Sequence, residues 1–363
     1  MSNSPSKGTA LMAYTRFSLD RSTPSLWRVT FDNPPINLID PVMAVELDAL
    51  LTEIEQDDRV AVVVFDSADR DYFLAHFDIT ADRAPYDALP AAPTPFHHWA
   101  NVLIRLSKSR AVTISALRGR ARGAGSEFAL ATDIRFASQE RAVLGQFEVG
   151  FAAVPGGGPS TRLPGIVGRG RAFEILLGGE DFDGELAERY GYVNRAIPDA
   201  EFVEFVNAFA QRVSRFDLLA LADIKRFVNA VSLPADAALT AEADAFAEAV
   251  ARPTTPSIIE QALKQGFQQR SDVELNLGAY VGTVVLKPGH EIRSPAAKNR
   301  RQLLGAGIVR TRRDEDTGPP ATPADFLFRD PRAARANAID PSHQRQRQLP
   351  AAGRRVRLRQ HDL

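Results

Sequence analysis

Hydrophobic and polar positions follow two rhythms along the chain up to about residue 286. Leu26–Phe31, Arg59–Phe65 and Ala111–Leu117 are short runs rich in Val, Ile and Phe, a pattern that predicts strands. Between the first two, Asp40-Pro41 predicts an N-cap followed by proline at the first helical position. Met43, Leu47, Leu50, Leu51 and Ile54 then fall on one stripe at helical spacing. Phe202, Phe205, Val206, Phe209 and Val213 repeat that signal after Pro198-Asp199, and beyond about Asp217 the pattern is mostly helical, with Ala237–Ala251 rich in Ala and Glu. Strands interleaved with helices, followed by helices alone, predict an α/β body with a helical C-terminal extension.

Composition sharpens this picture in one respect. The formal net charge of −1 averages two unlike regions: residues 287–363 carry 17 Lys and Arg against 8 Asp and Glu, and the remainder carries 27 against 37. The basic stretch has few aromatics and no apolar period, so it cannot bury enough surface to offset chain entropy and is expected to be a disordered tail. The expected organisation is an N-terminal segment 1–22, a core 23–215, a helical region 216–286 and an Arg-rich tail 287–363. The longest apolar run, Val60–Phe65, is far too short to span a membrane. The polar first 21 residues carry no secretory pattern, and with no Cys there is no disulfide or thiolate chemistry; a cytoplasmic protein is expected.

Candidate chemistry concentrates in two glycine-rich loops, Gly119–Gly125 and Pro155–Pro159. Arg118-Gly-Arg-Ala-Arg-Gly-Ala-Gly-Ser-Glu127 follows a predicted strand and opens a predicted helix near Ala124. Free backbone N–H groups at such a helix start can hold a phosphate or a developing oxyanion. Neither loop is followed by Gly-Lys-[Ser/Thr] or fits G-x-G-x-x-G, which argues against nucleotide binding. Glu127 lies just inside that helix and Glu148 follows in Leu144-Gly-Gln-Phe-Glu148. Two carboxylates near one anion-binding loop can divide acid and base work if their surroundings separate their pKa values. Spacing alone equally allows a dipole-stabilised helix carboxylate and a solvated surface charge.

Residues about 25–285 resemble the crotonase (enoyl-CoA hydratase/isomerase) family. Gly123-Ala-Gly-Ser-Glu127-Phe-Ala-Leu-Ala-Thr-Asp133 resembles its oxyanion-loop helix, and Gly145-Gln-Phe-Glu148 with Val154-Pro-Gly156-Gly-Gly its second catalytic segment. Asn33-Pro-Pro-Ile-Asn37 resembles the N-terminal loop over the CoA. Arg162-Leu-Pro-Gly-Ile-Val-Gly-Arg169 and Ala187-Glu-Arg-Tyr-Gly191-Tyr-Val-Asn194 resemble the stretch that follows. The resemblance implies a spiral of ββα units with a helical C-terminal trimerisation region, assembled as a homotrimer or homohexamer. It implies an acyl-CoA thioester substrate, no cofactor beyond the CoA that the substrate carries, and no metal. The carbonyl oxygen would sit between the backbone N–H groups of Phe77 and Ala124. Glu127 would activate water, Glu148 would protonate the α-carbon and the Gly156 N–H would help place the water. Ala75, Asp78, Ile79 and Thr80 would line the substrate. Hydration of a 2-enoyl-CoA is the leading expectation, with 3,2-enoyl-CoA isomerisation through Glu148 as the alternative and a non-catalytic acyl-CoA-binding subunit as another.

The match has departures. The family's Ala-Gly-Ala-Asp is here Ala75-His76-Phe77-Asp78, its following Lys is Thr80, and Ala124 stands where Gly is common. His76 is expected in packing or at the surface rather than as a catalytic accessory. His97-His98 is read as loop histidines. The dehalogenase branch would need an Asp soon after Glu148, and 149–173 contains no acidic residue. Polyanion binding through the tail is not favoured, because its basic clusters lack interleaved aromatics and no folded nucleic-acid module is visible.

Overall fold

The computed structural model describes residues 14–82, 84–87 and 98–284. The expected tail, residues 1–13, His97 and most of the Ala84–Pro95 connection lie outside the described residues.

Among the described residues, ten strands form two sheets. The larger has the order β1 (Phe17–Thr23), β2 (Leu26–Phe31), β3 (Val62–Ser67), β5 (Val112–Leu117), β7 (Ile134–Ser138), β10 (Arg195–Ile197); only β1 runs antiparallel to its neighbour. The smaller has the order β4 (Tyr72–Leu74), β6 (Arg120–Arg122), β8 (Val143–Gly145), β9 (Asp181–Asp183), with β9 antiparallel to β8. Successive pairs β3–β4, β5–β6 and β7–β8 each give one strand to each sheet, which is the ββα spiral expected from the resemblance. The run Val60–Phe65 reads as unbroken apolar because β3 is buried on both faces. Val63 and Phe65 join the core between the sheets, and Val62 and Val64 pack towards the helix carrying Phe202 and Val206. The strand starts at Val62 rather than Arg59, because Val60 closes a turn by donating to the Asp57 carbonyl.

The helices of the body are α1 (Pro41–Gln56), α2 (Ala84–Asp87), α3 (His98–Lys108), α4 (Ala124–Ala131), α5 (Pro159–Val167), α6 (Arg169–Gly178), α7 (Gly184–Tyr190) and α8 (Asp199–Val213). Asp40 caps α1 as expected, its carboxylate accepting from the Met43 N–H, and all five stripe residues are buried. On α8, Phe202, Val206 and Val213 are buried; Phe205 and Phe209 are half-buried and edge-pack on Phe136 of β7. The C-terminal extension is α9 (Leu218–Ser232), α10 (Asp236–Val250), α11 (Thr254–Lys264), α12 (Asp272–Leu275) and α13 (Leu277–Val281). Among the described residues no helix is long and apolar enough to cross a membrane.

Helix α4 is the element that fixes the centre. Phe128 packs with Phe31 and Phe65 at ring centroids 5.5 and 5.0 Å, anchoring α4 to the large sheet. Gly125 anchors it to the small one: a Cβ there would lie 1.9 Å from the Leu74 carbonyl oxygen of β4. The glycine at this position makes room for a neighbouring strand.

Candidate active site

The start of α4, the turn after β8 and the loop before α5 meet around a cavity of about 300 Å³. Glu127 and Glu148, 21 residues apart in sequence, both line it. Neither is a solvated surface charge: Glu127 is 4% exposed and Glu148 9%. The rest of the wall is largely hydrocarbon, with Trp99, Phe147, Phe151, Phe246 and Ile259 prominent.

The two carboxylates differ in what holds them. Glu127 accepts three hydrogen bonds: Trp99 Nε1–H to Oε2 at 2.9 Å, and the Gly156 and Gly157 N–H groups to Oε1 at 3.1 and 2.8 Å. Gly157 gives the carboxylate its space, since a Cβ there would sit 2.1 Å from Oε2. Burial pushes the Glu127 pKa up, and the three donors oppose that push. Glu148 is raised to about 8, first by burial and then by the charge of Glu127, and its Oε2 has no hydrogen-bond partner. When two buried carboxylates share one proton, it resides on the one with fewer donors. Of the two, Glu127 has the surroundings that better support a charge and Glu148 those that favour the proton.

Opposite lies the segment 75–78. Ile39 bridges to Phe77, with the Ile39 N–H donating to the His76 carbonyl and the Asp78 N–H to the Ile39 carbonyl. A parallel bridge of this kind leaves the Phe77 N–H facing the other way, and it has no hydrogen-bond partner among the described residues. The Ala124 N–H, first in α4, is likewise without one. Both residues line the cavity. Ala124 is not among the residues with positive φ, so a side chain in place of the usual glycine is accommodated without strain. The Phe77 ring packs edge-on against Trp99, 6.3 Å between centroids. Asn37 braces the segment from behind: its carbonyl accepts from the Ala75 N–H, and its amide donates to Ser67 Oγ and the Tyr72 and Phe73 carbonyls.

Of the residues singled out in the sequence, Phe77, Ile79, Ala124, Glu127, Glu148 and Gly156 line the cavity. Ala75, Asp78 and Thr80 do not. Ala75 is buried beneath the segment, and Asp78 Oδ1 closes its own turn by accepting from the Thr80 and Ala81 N–H groups and from Thr80 Oγ1. The Gly156 N–H, expected to hold water, is bonded to Glu127. Trp99, which no sequence pattern above singles out, is a further site residue. Glu242 of α10 is another. It accepts from the Ser160 and Thr161 N–H groups at 2.8 and 3.1 Å, capping α5 directly after the loop that grips Glu127. No metal-binding cluster of His, Asp or Glu occurs among the described residues.

The enoyl-CoA hydratase/isomerase family model matches residues 21–262. A short-chain-enoyl-CoA hydratase of Clostridium acetobutylicum is 29% identical over 249 residues, covering 67% of this chain and 94% of that protein. A crystal structure from Streptomyces avermitilis, described as a candidate enoyl-CoA hydratase, is 44% identical with a TM-score of 0.73, covering 77% of this chain and 100% of its own. An enoyl-CoA hydratase structure from Bacillus anthracis, at 23% identity and TM-score 0.54 over 71% of this chain and 98% of its own, shares the fold. With the match reaching from β1 into α11 over more than half of the chain, Glu127 and Glu148 included, the chain belongs to the enoyl-CoA hydratase/isomerase family.

Proposed function

We propose that the protein adds water across the double bond of a 2-enoyl-CoA thioester. The observation that carries this reading is the unequal pair on one cavity wall: one carboxylate accepting from three donors, the other buried with an unpartnered oxygen and its pKa raised to about 8. Glu127 takes a proton from water as its oxygen bonds to C3. The electrons of the double bond move onto the thioester carbonyl, where the Phe77 and Ala124 N–H groups meet the growing negative charge. Glu148 then gives its proton to C2, and proton exchange between the carboxyl groups and solvent resets the pair. Backbone donors of this kind are worth about 10²–10³ in rate each, and acid–base help about 10²–10⁴. The reaction as written needs no cofactor beyond the CoA of the substrate. A Glu148 that rests protonated starts in the state hydration requires; isomerisation through Glu148 would need it ionised first, which supports hydration over that alternative.

The proposal extends to assembly and place. Ile224, Phe227, Val228 and Val231 share one face of α9 and are all more than half exposed, which supports self-association through the helical region as a homotrimer or homohexamer. A cytoplasmic setting fits the Cys-free composition. Incubation with crotonyl-CoA followed by mass spectrometry tests the activity. A product heavier by one water is expected; recovery of unchanged substrate from crotonyl-CoA and from longer 2-enoyl-CoAs, or shift of a 3-enoyl-CoA without mass gain, would overturn it.

A further inference from the structure

His76 lies one residue before the proposed oxyanion donor Phe77, lines the cavity, and is 2% exposed. Both of its ring nitrogens face acceptors. Nε2 is 2.7 Å from Oε1 of Glu274, a carboxylate buried to 0% exposure, and Nδ1 is 3.1 Å from the Phe77 carbonyl oxygen. The ring thus links the Phe77 carbonyl to the Glu274 carboxylate. Burial alone would raise it, but the charge and hydrogen bond of His76, the Gln268 N–H and the Arg122 charge together bring it below the ordinary carboxylate range. Arg122 also ties the same segment down through the Glu274 and Leu275 carbonyls. The His76 ring stacks on Phe267 at 4.6 Å and packs edge-on to Phe147 at 5.4 Å between centroids.

We infer that the His76–Glu274 pair is a positioning device for the oxyanion loop, through which the 267–275 segment sets the orientation of the Phe77 peptide. The Nδ1 contact holds the Phe77 carbonyl, in the peptide that follows the Phe77 N–H, while the Ile39 N–H holds the His76 carbonyl of the peptide that carries it, so the Phe77 N–H is held towards the cavity before substrate arrives. Such preorganisation strengthens binding of the developing oxyanion and leaves ground-state acyl-CoA binding almost untouched. His76 is a positioning residue, not a catalytic one, since neither nitrogen is free to meet substrate.

This inference rests on the proposed use of Phe77 as an oxyanion donor, and the test separates the two. Acetoacetyl-CoA, whose enolate is a stable oxyanion with its own absorbance, is titrated against wild type, His76→Gln and His76→Ala, beside butyryl-CoA as a ground-state probe. His76→Gln keeps a donor for Glu274 but cannot also reach the Phe77 carbonyl, so it retains a partner for the buried charge if His76→Ala fails to fold. In His76→Gln, enolate binding is expected to weaken about tenfold with butyryl-CoA binding unchanged, and kcat to fall with KM steady. Equal loss for both probes, or no loss for either, would overturn the positioning role. Failure of wild type itself to bind the enolate would overturn the oxyanion-loop reading and this inference with it.

Discussion

At the scale of single residues, the proposed division of labour between Glu127 and Glu148 rests on hydrogen-bond supply rather than on depth, because both are buried. That division has a pH signature. Glu148 holds its proton to about 8, so hydration is expected to fall tenfold per unit above that pH, and the kcat profile checks it. Stability carries the same sign. The unfolded chain releases this proton near 4.5 and the folded protein near 8, so the folded state binds more protons between those values and loses stability as pH rises across them. Glu148→Gln is therefore expected to melt higher than wild type at pH 9, with the gap closing below pH 5; a wild type whose melting temperature is level from pH 5 to 9 would contradict the assignment. The carboxylates themselves are legible in the sequence as two acidic residues beside glycine-rich loops. Their partners are not: Trp99 meets Glu127 across 28 residues and His76 meets Glu274 across 198, and no local pattern encodes a contact of that range.

At the scale of elements, periodicity and capping residues carry most of the fold. Helix α1, with Asp40-Pro41 at its head and one apolar stripe, and strand β2, at Leu26–Phe31, match their sequence patterns closely. The patterns do not show how elements press on each other. The glycines of Gly119–Gly125 read as a turn, yet the demand at Gly125 comes from the Leu74 carbonyl of β4, which only the packed sheet reveals. Gly125→Ala is expected to cost at least about 3 kcal/mol, because the clash is with backbone and α4 must leave β4 to relieve it. Gly165→Ala in α5, where nothing lies within 4 Å of a new Cβ, is expected to gain about 0.5–1 kcal/mol as a control, both read by urea unfolding. A Gly125→Ala protein as stable as wild type would remove the steric argument for that glycine.

At the scale of the whole molecule, the helical extension has two faces with different tasks. Helices α10 and α11 close the cavity with Phe246 and Ile259, while α9 turns an apolar face outward. If the proposed homotrimer or homohexamer forms through that face, Phe227→Glu is expected to lower the mass in sedimentation equilibrium; an unaltered mass would place the assembly surface elsewhere. The measurement that bears most directly on the central claim is loss of the conjugated-thioester absorbance of crotonyl-CoA under wild type, Glu127→Gln and Glu148→Gln. Rapid loss in wild type, reduced at least about 10²-fold in each variant with all three proteins equally folded, is the predicted result. Undiminished turnover in either variant would contradict a hydration divided between these two carboxylates.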